Sequence, residues 1–101
     1  MKEISIPFRE DFKDKMLDGT KCKTTRSKKY GESGDIFKIF GATFQLVDVE
    51  KKPLGRIFLW DYEDEGFETM AEFIQVWKEI HPKAEIDIEK KFYLHSFKRI
   101  D

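Results

Sequence analysis

The sequence contains one cysteine and no asparagine, and neither charge sign is in clear excess. A single thiol, Cys22, excludes an internal disulfide, and with His81 and His95 it does not give the spacing of a zinc site. We therefore expect no metal and no cofactor. The 19 basic and 20 acidic residues nearly cancel, which excludes a protein that holds nucleic acid by its bulk positive charge.

Long hydrophobic runs are also absent. No run approaches the roughly 20 apolar residues of a membrane helix, and the N-terminal MKEISIPF lacks the apolar stretch of a signal peptide. We therefore expect a soluble, cytoplasmic protein without membrane contacts. Lysine and glutamate dominate the charged residues, a composition typical of proteins from thermophiles.

Aromatic residues are plentiful, at 15% of the 101 residues, and ten of them are phenylalanine. This apolar mass excludes disorder and is enough for one core, so we expect a single domain over residues 1–101. Phe8, Phe12 and Met16 recur every four residues and predict a helix over 9–18, which Gly19 ends. Thr69 and Glu72 form a capping box at the start of a helix over 69–81.

Strand-forming patterns fill most of the remainder. They occur at residues 4–6, 21–26, 36–40, 43–49, 56–62 and 92–100, with a polar loop over 27–35. Few helices and clustered strands predict an α+β fold, a small β-barrel of mostly antiparallel strands with two or three flanking helices. In the predicted strand 56–62, Phe58, Trp60 and Tyr62 alternate onto one face. Such a stripe either stacks nucleobases or, more often, belongs to the core.

The segment from Gly19 to Lys29 concentrates positive charge. It carries no acid, and its hydroxyls, Thr24 and Thr25, lie among five cations: Lys21, Lys23, Arg26, Lys28 and Lys29. Cations with hydroxyl donors suit a phosphate or a polarised carbonyl, although a solvated basic loop has the same composition. In an extended chain, Thr24 and Arg26 project to one face and Lys23 and Thr25 to the other.

Individual residues around this segment also suggest chemistry. The lysines beside Cys22 predict a lowered thiol pKa, but one thiol without a nearby histidine is a weak sign of catalysis. Tyr30, next to Gly31 in the polar loop, is a candidate for stacking on a ligand. His81 closes the second helix, which suggests a structural role, and we assign no role to His95.

An acidic cluster precedes the second helix at Asp61, Glu63, Asp64 and Glu65. If the fold closes this cluster against the basic segment, one carboxylate would have a shifted pKa and serve as an acid or base. The alternative is a set of surface carboxylates favoured by the helix dipole.

The segment Gly19-Thr20-Lys21-Cys22-Lys23-Thr24-Thr25-Arg26 resembles the G-x-K-T-x-T-x-R signature of the ASCH superfamily. Further similarities follow in order at Gly34-Asp35, Glu65-Gly66-Phe67, Glu72-Phe73, Trp77, His81-Pro82 and Phe97. The resemblance spans almost the whole chain. It implies a PUA-like β-barrel with helices flanking a cleft, and a ligand that is RNA or a nucleotide.

Some small bacterial members of the ASCH superfamily are amidohydrolases that remove the acetyl group from N4-acetylcytidine. They use a lysine, a threonine and a glutamate, which fall on Lys21, Thr24 and Glu65 of this sequence, and the signature arginine falls on Arg26. The first threonine of the signature is replaced by Cys22, whose thiol is a poorer hydrogen-bond donor.

Two principal functions therefore remain open. The first is an RNA- or nucleotide-binding domain whose basic cleft is built on the GTKCKTTR loop, with ligand contacts from Lys23, Arg26, Lys28 and Tyr30. The alternative is an amidohydrolase acting on N4-acetylcytidine or a related acylated nucleoside. In that case Thr24 attacks, Lys21 with a lowered pKa is the base, and Glu65 passes a proton to the departing amine. A third possibility is a protein-interaction domain with a vestigial cleft.

Overall fold

The structure is a computed structural model that describes all residues 1–101. It contains five strands and three α-helices. In chain order these are β1 (Glu3–Ile4), α1 (Lys13–Leu17), β2 (Lys23–Arg26), β3 (Ile36–Ile39), β4 (Ala42–Pro53), α2 (Leu54–Trp60), α3 (Met70–Ile80) and β5 (Lys91–Arg99). A short 3-10 helix (Glu10–Phe12) precedes α1.

The strands form one sheet in the order β1-β3-β4-β5-β2. Only the β1–β3 pair is parallel, so the predicted α+β class with mostly antiparallel strands is confirmed. Strands β1 and β2 are the two edges and do not pair with each other, so the sheet is open and does not close into the predicted barrel. The long β4–β5 pair is irregular between Leu46 and Asp48, where a bulge shifts the register.

Two apolar clusters lie in the domain. One joins β5 to α2 and α3 through Leu54, Ile57, Phe58, Phe67, Phe73, Trp77, Phe92 and Leu94. The other lies beside α1 and consists of Ile6, Met16, Phe37, Ala42, Phe44, Leu46 and Phe97. The aromatic residues meet mostly edge to face, an arrangement that adds to the gain from burial.

The predicted strand at residues 56–62 is wrong. Strand β4 runs on to Pro53, and residues 54–60 are the helix α2. Leu54, Ile57 and Phe58 are all buried, a spacing of three and four residues that is helical. Packing of this face against α3 outweighs the strand preference of the isoleucine and aromatic residues. Trp60, at 72% exposure, does not share the buried face of Phe58.

The other predicted elements occur close to their expected places. Thr69 caps α3 by accepting a hydrogen bond from the backbone N–H of Glu72 at 3.1 Å. Gly19 follows α1 with φ of +87°, the left-handed conformation expected after a helix end. The first predicted strand shortens to two residues, and the first predicted helix divides into the 3-10 helix and α1. None of the helices has the length and apolar character needed to cross a bilayer.

Because α2 is a helix, Phe58 and Trp60 should differ strongly in their contribution to stability. We expect Phe58→Ala to lower the free energy of unfolding by about 3–5 kcal/mol, since it empties a buried site. Trp60→Ala should change it by no more than about 0.5 kcal/mol. Urea unfolding of both variants measures the difference, and similar losses would indicate that the two side chains share one buried face.

Candidate functional site

A cleft of about 400 Å³ lies along the outer edge of β2. Aromatic side chains form much of its wall: Phe8, Phe12, Phe67, Phe73 and Trp77. Polar side chains from residues 21–26, which include β2, and from the loop between α2 and α3 also line it: Lys21, Thr24, Thr25, Arg26 and Glu65. An apolar wall with a few convergent polar groups is the usual form of a small-molecule site.

The Lys21 ammonium is buried beside the Glu65 carboxylate. Its Nζ lies 3.0 Å from Glu65 Oε1, and the two side chains are 2% and 4% exposed. It also donates to the backbone carbonyls of Lys23 at 2.9 Å and Glu65 at 3.0 Å, and lies 4.6 Å from the centre of the Phe12 ring. Burial lowers the pKa of Lys21, while the charge of Glu65 opposes that shift. The structure thus brings together two of the three predicted catalytic residues.

The second oxygen of Glu65 accepts a hydrogen bond from the hydroxyl of Thr25 at 2.5 Å. The result is a continuous polar chain, Lys21–Glu65–Thr25, along the cleft. Sequence reasoning assigned no role to Thr25. Two signals together would have identified Thr25 as a site residue. Strand alternation turns it away from Thr24, and the acidic cluster was expected to face the basic segment.

Thr24, the third predicted catalytic residue, has a different partner. Its hydroxyl accepts hydrogen bonds from Nε and Nη2 of Arg26 at 3.3 and 3.1 Å, which confirms that these two side chains share a face. The Arg26 guanidinium also lies 4.9 Å from the centre of the Phe8 ring. Lys21 makes no hydrogen bond to Thr24.

Backbone hydrogen bonds and ion pairs hold the loop that carries Glu65 against β2. The Asp64 carbonyl accepts from the backbone N–H groups of Cys22 at 2.7 Å and Lys23 at 3.0 Å. The buried Asp61 carboxylate lies 2.8 Å from the Lys23 ammonium and 2.7 Å from that of Lys52. The acidic cluster therefore does close against the basic segment.

Gly66 allows the close approach of this loop to β2. Its φ is +99°, and a Cβ at this position would lie 3.1 Å from Cβ of Lys21 and 3.3 Å from Cδ of Lys15. Lys15 donates to the Gly66 carbonyl at 2.6 Å. A larger residue here would be strained and would press on the buried Lys21.

The other predicted ligand contacts lie outside the cleft. The Lys23 ammonium is engaged by Asp61, and Lys28 lies 4.8 Å from the centre of the Tyr30 ring on the neighbouring loop. Of the four predicted contacts, Arg26 alone lines the cleft. The prediction of a lowered pKa for Cys22 is wrong, because burial and the nearby Asp64 raise the pKa of its thiol.

Both histidines have defined surroundings. His81 lines the cleft, stacks on Trp77 with ring centres 4.3 Å apart, and places Nδ1 3.1 Å from the Trp77 carbonyl. His95 is fully buried, and its Nε2 accepts from the backbone N–H of Tyr30 at 3.1 Å. It therefore holds the loop that carries Tyr30, a role that the sequence did not reveal.

No protein-family model matches this chain, and no curated protein matches it. Solved structures do share its fold. Hypothetical protein PH0355 superposes with a TM-score of 0.73 at 15% identity, covering 99% of this chain and 100% of that protein. An ASCH domain from Lactobacillus crispatus gives a TM-score of 0.66 at 14% identity, covering 97% and 78% of the two chains.

A third similar structure is protein EF3133 from Enterococcus faecalis, which carries the family designation DUF984. Its TM-score is 0.64 at 19% identity, with 90% of this chain and 71% of that protein covered. At such low identities the likeness shows the fold alone. It confirms the resemblance seen in the sequence at that level: the chain has the fold of an ASCH domain.

The buried pair should show strong energetic coupling. We expect Lys21→Met and Glu65→Leu each to lower the free energy of unfolding by about 3–5 kcal/mol, because each leaves one buried charge without its partner. The double variant should lose far less than the sum, since no unpaired charge remains. Urea unfolding of all four proteins measures the coupling.

The exposed pair Lys29–Glu32, 2.7 Å apart, provides the matched control. The corresponding Lys29→Met and Glu32→Leu cycle should show little coupling, because solvent screens that pair. If the Lys21 and Glu65 substitutions were simply additive, the buried ion pair would not be the interaction that joins β2 to its loop.

Proposed function

We propose that the protein binds a nucleotide, free or within RNA, in the cleft at the edge of β2. The observation that carries this proposal is the aromatic wall beside the Lys21–Glu65–Thr25 chain. A planar, apolar ring with polar edges matches such a site, because its faces contact aromatic side chains and its edge meets carboxylate and hydroxyl groups. The volume of about 400 Å³ lies within the range of small-molecule sites.

The charges around the cleft suit the rest of a nucleotide. Arg26 lines the cleft and makes no ion pair with a carboxylate, so the guanidinium N–H groups that do not donate to Thr24 can bind a phosphate. Glu65 is an acceptor for an exocyclic amine such as that of cytosine or adenine. The near-zero net charge favours contact with few phosphates over binding along a long duplex.

Calorimetric titration with the four nucleoside monophosphates at low salt tests this proposal. We expect at least one to bind, and Arg26→Ala to weaken it about tenfold or more, because a hydrogen bond to a charged group is lost. The affinity should fall less steeply with salt in this variant. Arg56→Ala is the matched control, since Arg56 is an exposed arginine of α2 that does not line the cleft.

Two results would count against nucleotide binding. One is the absence of heat or fluorescence change with every monophosphate and with short single-stranded RNA at low salt. The other is an equal loss of affinity in Arg26→Ala and Arg56→Ala, which would indicate attraction by overall charge only. Melting temperatures of both variants establish that the fold is retained.

The second candidate is hydrolysis of an acylated nucleoside such as N4-acetylcytidine. The observation that favours it is burial of Lys21, which lowers the pKa of its amine in the direction that a general base requires. The Thr24 hydroxyl accepts from Arg26 and donates to no protein group, so its proton is available for transfer. Thr24, Lys21 and Glu65 line one cleft.

The proton and bond changes balance as follows. This mechanism requires Lys21 to release its proton to solvent first; the Thr24 oxygen then bonds to the acyl carbon as its own proton passes to the Lys21 amine. The carbon–nitrogen bond then breaks, and the proton reaches the departing N4 through Glu65, 3.0 Å from Lys21. Water next adds its OH to the acyl carbon while its other proton passes through Lys21 to the Thr24 oxygen; the bond between the acyl carbon and Thr24 breaks, and acetic acid leaves. The net reaction is N4-acetylcytidine plus water giving cytidine plus acetic acid.

Chromatography of N4-acetylcytidine incubated with the protein tests hydrolysis. We expect cytidine to accumulate, Thr24→Val to abolish its formation, and Thr25→Val to retain part of it, because Thr25 only orients Glu65. Thr43→Val, in the β3–β4 hairpin, is the control and should have the wild-type rate. No turnover by the wild type, or full turnover by Thr24→Val, would eliminate this mechanism.

A further inference from the structure

The sheet face that carries Thr24 and Arg26 continues away from the cleft as a line of cationic and aromatic side chains. Arg26 pairs with Tyr93 across β2 and β5, and Tyr93 pairs with Lys51 across β5 and β4. Directly paired residues project to the same face of a sheet, so these three lie side by side. The Lys51 ammonium lies 5.4 Å from the centre of the Tyr93 ring.

The loop after β2 adds a second aromatic ring with its own cation. The Lys28 ammonium lies 4.8 Å from the centre of the Tyr30 ring, and the Arg26 guanidinium lies 5.9 Å from it. The hydrogen bond from the Tyr30 backbone to His95 fixes this part of the loop over the sheet, and the two rings meet edge to face at 6.0 Å. Tyr30 is therefore held in place before any ligand arrives.

Lys29 extends the same surface. Lys29 follows Lys28 on the loop that carries Tyr30, and its ammonium lies 2.7 Å from the Glu32 carboxylate. Together these side chains form a surface that we call the Tyr93 row: Arg26, Lys28, Lys29, Tyr30, Lys51 and Tyr93. One carboxylate, Glu32, pairs with a member of the row. Glu50, next to Lys51 on β4, projects to the opposite face by strand alternation.

We propose that the Tyr93 row binds single-stranded RNA that continues from the nucleotide held in the cleft. This inference rests on the proposed nucleotide binding and adds that the physiological ligand is a strand, not a free nucleotide. Arg26 belongs to both surfaces, so a strand leaving the cleft meets the row without a gap. Bases stack on Tyr30 and Tyr93 while the cations bind phosphates, a combination that is tolerant of sequence.

A protein partner fits the row less well than RNA. Cores of protein interfaces are depleted in lysine, whereas three of the six members of the row are lysines. The exposed apolar side chains Leu59 and Trp60 lie on α2. This helix packs against α3 and does not belong to the row. Alternating aromatic rings and cations, with Glu32 as the one carboxylate paired with a member of the row, instead complement a chain of phosphates and bases.

Comparison of a short oligocytidylate with cytidine monophosphate separates the row from the cleft. We expect the oligonucleotide to bind more tightly than the mononucleotide. Tyr93→Ala should weaken oligonucleotide binding about 5- to 100-fold, because a stacking surface is lost, and leave mononucleotide binding unchanged. Tyr93→Phe keeps the ring and should keep the affinity.

Lysine variants test the charge of the row. Lys51→Ala should weaken oligonucleotide binding and lower the slope of log affinity against log salt by about 0.7, the value for one phosphate contact on a single strand. Lys98→Ala removes the same charge from an exposed position on the opposite face of β5 and should bind as the wild type does.

The outcomes distinguish the two proposals. If cytidine monophosphate binds but the oligonucleotide binds no tighter, or if Tyr93→Ala and Lys51→Ala bind the oligonucleotide normally, the row does not contact RNA and nucleotide binding by the cleft stands. If no nucleoside monophosphate and no short single-stranded RNA of any base binds, both proposals fail. Lys51 is exposed, so Lys51→Ala supplies a decisive result even if Tyr93→Ala does not fold.

Discussion

The ion pair between Lys21 and Glu65 is the contact on which the arrangement of the cleft depends. Removing two charges from water is costly, and the cost is offset here because the ammonium also binds two backbone carbonyls and the carboxylate binds a hydroxyl. Lys21 lies just before β2, and Glu65 lies in the loop before α3, 44 positions further along the chain. The pair therefore fixes the register between them, and Thr25 takes its place in the cleft as a result.

The elements predicted correctly are those with strong local signals. Helix α3 has an N-terminal cap at Thr69 and an apolar stripe, both visible within a few neighbouring residues. Helix α2 has no such cap, and its sequence is rich in residues that favour strands. Its conformation is set by the burial of Ile57 and Phe58 against α3, a contact between distant parts of the chain. A local pattern does not contain that information.

The residues of the candidate site were predictable in part, from a local sequence motif. Motif resemblance named Lys21 and Glu65, and the structure places them 3.0 Å apart. It also named Thr24, whose neighbour Thr25 is the one that contacts the carboxylate. Strand alternation separates these hydroxyls but does not show which face meets the loop, because that depends on the path of residues 61–66. Tyr30 lies outside the cleft because its backbone N–H donates to His95, the residue opposite Thr24 on β5, and this hydrogen bond holds the loop over the sheet.

The position of β2 at the edge of the sheet has a consequence for the behaviour of the protein at high concentration. Unpaired edge strands invite strand addition from other molecules and so promote aggregation. Here the outward N–H of Lys23 is occupied by the Asp64 carbonyl, and its C=O accepts from the Lys21 ammonium. The polar groups that shape the cleft therefore also satisfy backbone groups of the edge strand β2 that another strand would otherwise pair with. Damage to this loop would impair colloidal solubility together with the shape of the cleft.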